Sequence, residues 1–351
     1  MVRRVLFTSV ALAPVVIFLD YALDLDDTVT FVLSAAALIP LAWLIGEATE
    51  HAAEHTGPGI GGFLNATFGN APELIIALLA VNQGLTEVVR GSLTGSVIGN
   101  LLLVLGFSLL FGGRGEIDRP SSFLALGLVA VTTLVLLIPS IPGWGDGDPD
   151  RESLVDLSIP VSIVLLLAYL VLTWYSLRRH AALHVASDEE IKGWSLRAAL
   201  GVLAAATVLT ALVAEILVGT LEVFAEEAGL TEFFVAAVIV AVVGNAAEHG
   251  GAVVVAARGK IKLAAEIALA SSAQVAVFLI PAVALLALLL EPLSLALREV
   301  EIAALGISVV VATVLLADGR SSRLKGAILV ALYVGIAIAF FVAGDRAGTG
   351  H

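Results

Sequence analysis

The sequence predicts an all-α polytopic membrane protein: about eleven transmembrane helices, one N-terminal and ten in two inverted-topology five-helix repeats. Three observations predict this. Of 351 residues, 59% are hydrophobic and 14% charged, with a mean hydropathy of +1.04. A soluble domain is about a quarter charged, and this chain has too little polar surface to cover a water-soluble body of its size. Apolar runs reach some twenty residues without alternation, which is the length of a spanning helix and not the pattern of a barrel strand. Finally, a stretch of some fifty residues recurs without gaps at an offset of 175.

The spans, taken in order, fall near 5–23, 29–52, 60–83, 87–111, 121–141, 156–177, 196–222, 231–256, 263–290, 299–317 and 325–343. The first follows Arg3 and Arg4 but lacks a small-residue cleavage site before Asp24–Asp27, so it reads as a membrane helix and not a leader. The division expected is an N-terminal helix (1–25), a first repeat (26–178), a cytoplasmic linker (179–194) that is the one sizeable polar stretch inside the chain, and a second repeat (195–351).

Basic residues set the orientation. With the N-terminus in the cytoplasm, fourteen of the 18 Lys and Arg fall in inner loops. Only Arg90, Arg151, Arg298 and Arg346 fall outside. The outer loops are acidic and account for much of the net charge of −13. They read either as ordinary solvated loops or as a mouth that attracts cations. So acidic a chain is a poor phosphate binder, which speaks against nucleic acid as a partner. With no cysteine, thiolate metal sites and disulfides are excluded. No HExxH motif or nucleophile–base constellation points to an enzyme, and no cofactor is implied.

The repeat carries the chemistry. Gly69-Asn70-Ala71-Pro72-Glu73 in the third span answers Gly244-Asn245-Ala246-Ala247-Glu248 in the eighth. At the same offset Gly84 meets Gly259, Ser96 meets Ser271, and Glu47 meets Glu222. Each half has five spans, an odd number, so the second enters from the opposite side. Such inverted repeats rock between two related states around a midplane site. Glu73 and Glu248 lie near the centres of their spans, where a carboxylate costs about 2.5–3.5 kcal/mol on insertion scales. A proton can keep each neutral and a cation can keep each charged. A site alternating between the two exchanges protons for cations.

Asn70 and Asn245 precede each Glu by three residues and share its helical face. Amide and carboxylate oxygens suit Ca²⁺ or another hard cation. Pro72 breaks its helix and frees a carbonyl, whereas in the second half Gly244 must supply the bend alone. The following spans carry Ser96 and Asn100 at i, i+4 and Ser271 and Gln274 at i, i+3. Asn100 and Gln274 read as site residues. The serines fit packing between helices equally well. Glu47, Glu50 and Glu54 share one face near the inner end of the second span, and Glu215 and Glu222 lie near the outer end of the seventh. By the repeat they form acidic entrances on the two sides, although a solvated helix end explains the first group too. His249 reads either as a proton relay or as a hydrogen-bonded core residue, while His51 and His55 read as solvated.

These residues resemble the cation/proton (calcium/proton antiporter) branch of the calcium/cation exchanger superfamily. The resemblance rests on GNAPELI at 69–75, GNAAEH at 244–249, GEATEH at 46–51, GSVIGNLLLVLG at 95–106, AEILVGTLE at 214–222, SSAQVAVFLIP at 271–281 and ADGRSSRLKGA at 317–327. It implies Ca²⁺ export driven by protons, with Glu73 and Glu248 binding Ca²⁺ and protons in turn. It further implies that Asn70, Asn245, Ser96 and Gln274 coordinate or gate, and that Glu47 and Glu50 line the cytoplasmic access path. Pro72, where the branch usually has Thr, is shared with sodium/calcium relatives and keeps a sodium-coupled or broad-specificity cation exchanger as the alternative. The expected partners are Ca²⁺, protons and the lipid bilayer of the cell membrane, with a homo-oligomer left open.

Overall fold

The computed structural model describes residues 2–23, 25–145, 147–181 and 193–346. The side chains of 2–4, 57–63, 65–66, 175–181 and 247–249 lie outside that description. So does most of the expected linker.

The chain is helical almost throughout. Helices α1 (Val2–Ser9) and α2 (Leu12–Ala22) share the first span. Helix α3 follows (Asp27–Phe68), then α4 (Ala71–Asn82). Helix α5 (Thr86–Ile98) continues through a π-helical stretch, π1 (Gly99–Val104), into α6 (Leu105–Gly112). A two-residue strand β1 (Gly115–Glu116) leads to α7 (Arg119–Gly143) and α8 (Glu152–Ala181). The remainder comprises α9 (Leu196–Gly219), α10 (Leu221–Ala228), the one-turn α11 (Glu232–Phe234), π2 (Val235–Val240), α12 (Ala241–Gly244) and α13 (Ala246–Ala257). Then come α14 (Ile261–Gln274), π3 (Val275–Leu279), α15 (Ile280–Ala287), α16 (Glu299–Leu316), β2 (Arg320–Ser321) and α17 (Arg323–Ala343).

Local chemistry starts these elements where they start. Asp118, Ser195, Thr231 and Ser322 each accept a backbone N–H three residues on, capping α7, α9, α11 and α17. Gly84 and Gly259 adopt φ of +75° and +80°, values that an L side chain resists, and turn the chain after α4 and α13. β1 and β2 pair antiparallel, Gly115 with Ser321, and tie the loop after α6 to the start of α17.

Among the described residues, nine helices are long and apolar enough to cross a membrane, or ten if the bent pair α10 with α11–α12 is one span. The expected eleven is roughly consistent with this, since α4 is apolar but shorter; two of the expected bounds differ for physical reasons. The second and third spans were expected to part between 52 and 60, where Glu, His, Gly and Pro suggest a loop. Helical backbone runs through that segment, and the interruption falls at Gly69–Asn70 instead. Side-chain polarity does not break backbone hydrogen bonds, and membrane helices tolerate proline and glycine. The seventh span ends at Gly219, and the chain then bends by 110° between α10 and α11.

The element bounds repeat with the sequence. α4 and α13 start and end 175 residues apart, as do the starts of α5 and α14 and the two turn glycines. α3 packs most extensively on α9. At one end of that pair Phe31 stacks on Phe224, rings 4.1 Å apart and 12° from parallel, and Thr28 Oγ1 donates to Glu227 at 2.5 Å. Leu124, Val131, Leu134 and Ile138 of α7 and Val310 and Val314 of α16 are exposed, as faces turned to lipid must be.

Candidate cation site

Both motif segments lie at helix breaks. Asn70 (φ −102°, ψ 17°) separates α3 from α4, and Asn245 (φ −88°, ψ 6°) separates α12 from α13. Pro72 does not itself break a helix interior. It occupies the first turn of α4, where a missing N–H costs nothing. The second half breaks at the same place without proline, so Gly-Asn is the shared cause.

Glu73, one turn into the break's helix, is 8% exposed. It lines a cavity of ≈ 10 Å³ with Ile76 of α4, Ser92, Leu93 and Ser96 of α5, Val240 of π2, and Ala241 and Gly244 of α12. That is about the space one water molecule needs. Gly244 belongs to the second motif, and a Cβ on it would sit 3.3 Å from Glu73 Cγ. The first motif's carboxylate therefore rests against the second motif's backbone.

A chain of amides and hydroxyls extends from this cavity. Asn245 Nδ2 donates to Ser96 Oγ at 2.8 Å and to Ala241 O at 2.9 Å. Asn100 Nδ2 donates to Asn245 Oδ1 at 3.2 Å and to Ser271 Oγ at 2.9 Å. All four side chains are buried. Asn100 Oδ1 is buried and accepts no hydrogen bond among the described residues, which leaves an oxygen with lone pairs to offer. The elements that meet here are α5, π1, the α12–α13 break and α14. The three π stretches lie at these residues: π1 (Gly99–Val104) contains Asn100, π2 (Val235–Val240) ends on the cavity residue Val240, and π3 (Val275–Leu279) begins directly after Gln274, and such bulges recur at functional sites.

The sequence-predicted residues thus divide. Glu73, Ser96, Asn100 and Asn245 come together around or beside the cavity, and Asn70 is buried at the adjoining break. Gln274 ends α14 partly exposed and makes no side-chain hydrogen bond among the described residues, while Ser271 takes the place expected of it. Glu248 and His249 lie on α13, and their side chains are outside the described residues.

Of the access-path acids, Glu47, Glu50 and Glu54 lie along the continuous α3 and not at a helix end. His51 is not the solvated residue expected. It sits 3.6 Å from Glu47 Oε1 and 3.3 Å from Glu54 Oε2, and its ring lies 5.0 Å from that of Trp194. His55 Nε2 lies 2.8 Å from Trp194 O. Glu215 on α9 and Glu222 on α10 are exposed. Ser92 and Gly244 joined the cavity without having been singled out as ligands. Their signal was the position one turn before Ser96 and the glycine that opens the second motif.

No group of three or more His, Asp or Glu side chains among the described residues is arranged to hold a metal ion. Among the described residues the cavity offers one carboxylate, with amide and hydroxyl oxygens nearby. That donor set is all hard oxygen and suits Ca²⁺ as cargo.

The sodium/calcium exchanger protein family description matches residues 27–178 and, separately, 198–342. The Ca²⁺/H⁺ antiporter ChaA of Bacillus subtilis is 37% identical over 97% of this chain and 99% of its own. The Ca²⁺/H⁺ antiporter of Aphanothece halophytica is 34% identical over 97% of both chains. Among solved structures, native YfkE superposes with a TM-score of 0.84 at 35% identity, covering 96% of this chain and 99% of its own.

Proposed function

The chain belongs to the sodium/calcium exchanger protein family, and within it we propose that this protein is a secondary active transporter that exports Ca²⁺ from the cytoplasm in exchange for protons. The relatives named as Ca²⁺/H⁺ antiporters, similar over nearly their full length, support the choice of ions. The observation that carries the reading is the buried Glu73 carboxylate in a small cavity, pressed against Gly244 of the second motif. A carboxylate held there must be matched by a proton or a cation. Glu248, its repeat partner, is assigned the same task, and His249 beside it the relay of protons. Asn70, Asn245, Ser96 and Asn100 supply neutral oxygens to the ion. Gln274, outside the hydrogen-bonded chain, is assigned to gating.

Calcium enters from the cytoplasm past Glu47, Glu50 and Glu54 and leaves past Glu215 and Glu222. The two units, 26–178 and 195–351, act as inverted repeats that expose the site alternately. The double family match and the recurrence of α4 as α13 support that division. The N-terminus is assigned to the cytoplasm, the orientation that puts fourteen of the 18 Lys and Arg inside.

Purified protein in liposomes tests the reading. Calcium should accumulate under an imposed pH gradient and ignore a sodium gradient. Flux that follows sodium and not protons would favour sodium-coupled exchange instead.

A further inference from the structure

Three of the four basic residues that the charge pattern leaves outside meet in one buried cluster. Arg90 Nη2 donates to Glu87 Oε1 at 2.7 Å, and its Nη1 donates to Asp150 Oδ1 at 2.8 Å. Arg298 Nε lies 3.5 Å from Glu301 Oε2 and 3.9 Å from Glu87 Oε2. Arg346 Nε lies 3.6 Å from Glu87 Oε1. A buried ion network is an inefficient source of stability, because desolvation offsets the attraction, and fixing one arrangement is its better-attested use.

The cluster grips both walls of the cation cavity from behind. Glu301, fully buried, accepts the Thr94 hydroxyl of α5 at 3.1 Å and the Arg298 backbone N–H at 2.9 Å. Thr94 lies two residues from Ser96, the acceptor for Asn245. On the other wall Arg298 lies over the Phe233 ring, 3.5 Å from its centroid. Phe233 lies in the one-turn α11 that leads into the segment delivering Val240 and Ala241 to the cavity. The walls themselves touch. A Cβ on Gly91 would lie 3.0 Å from Phe233 Cδ2, and one on Gly95 would strike the Ala237 backbone.

We propose that Thr94 and Glu301 are positioning residues for the exchange site, fixing the rotation of α5 so that Ser96 meets Asn245 and sets the affinity for Ca²⁺. This rests on the reading of the protein as a Ca²⁺ exchanger.

The test compares wild type, Thr94→Val, Thr94→Ser, Glu301→Ala and the double variant T94V/E301A in proton-driven ⁴⁵Ca uptake into liposomes. Equilibrium ⁴⁵Ca binding in detergent is measured alongside, on protein that runs monodisperse in gel filtration. T94V should raise the half-saturating Ca²⁺ concentration about 10-fold or more, the size of effect seen when a ligand's supporting partner is removed. The maximal rate per folded transporter should change far less. T94S should restore wild-type affinity, and the double variant should be no worse than the weaker single one. A monodisperse T94V with wild-type Ca²⁺ affinity overturns the inference, as does a loss of maximal rate alone. Should E301A not fold, T94V and T94S decide. Wild type that binds Ca²⁺ but shows no proton-driven uptake overturns the functional reading instead, and the binding measurement still judges the positioning.

Discussion

Asn245 donates its side-chain amide to Ser96 Oγ across 2.8 Å, joining the second Gly-Asn break to a helix of the first half. Asn245 also receives Asn100 on its carbonyl oxygen, so its amide can present only one face to Ser96. The amide is thus oriented by neighbours from the other half, and neither half can build the site alone. Replacing Asn245 with Ala should weaken apparent Ca²⁺ affinity about 10- to 100-fold, read as the half-saturating concentration in vesicle uptake. Asn245→Ala with unchanged affinity would remove it from the site.

Asn100→Leu withdraws both donated bonds and leaves Asn245 Oδ1 and Ser271 Oγ buried without them. Each such loss costs about 1–3 kcal/mol. The expected result is a lower unfolding temperature in detergent together with reduced uptake. A loss of uptake with the unfolding temperature unchanged would make Asn100 a ligand only.

Gly244→Ala places a methyl group 3.3 Å from Glu73 Cγ, close enough that the carboxylate must shift. Transport should fall while the protein stays folded, because only a flexible side chain has to move. Gly95→Ala meets the Ala237 backbone and cannot be relieved that way. It should destabilise by about 1–3 kcal/mol or more, measured by thermal unfolding.

Much of this was legible in the residues. The two breaks were marked by Gly-Asn at an offset of 175, and the helices that follow each break recur with that offset. The identity of the second hydroxyl partner was not legible. Spacing of i, i+3 turns Gln274 about 60° from the direction of Ser271 on a helix, enough for one to reach Asn100 and the other to miss. The inner end of the second span was misread because polar residues and a proline suggested a loop where the backbone stays helical. The arginine cluster could not be read from order at all, since Arg90 and Arg298 stand 208 residues apart. Its one trace was that both broke the charge pattern.

That cluster makes a stability prediction. Burial pushes the Asp150 carboxyl up, but the Arg90 guanidinium outweighs it and holds the group below its ordinary value. A lowered folded-state value gives stability that is full above the unfolded value, near pH 4, and lost as pH falls through the folded one. Asp150→Asn should therefore lower the unfolding temperature at neutral pH and flatten its decline on the acid side. Arg90→Leu leaves the Asp150 carboxylate without its cation, while Glu87 keeps Arg298 and Arg346 beside it, and should cost about 3–5 kcal/mol. An acid limb unchanged by Asp150→Asn would contradict this.

Orientation is open to direct labelling, because the chain has no cysteine. A single cysteine at Asp318 should react with a membrane-impermeant maleimide only in inverted vesicles, and one at Asp148 only in intact cells. The reverse pattern would place the N-terminus outside.

The central claim is that the two motif glutamates alternate between proton and Ca²⁺. The most direct measurement is proton-driven ⁴⁵Ca uptake into inverted vesicles by Glu73→Gln and by Glu248→Gln, each quantified against its amount in the membrane. Uptake should be abolished in both, because an uncharged amide can hold neither a titrating proton nor the charge that balances the cation. Retained uptake in either variant would contradict the account.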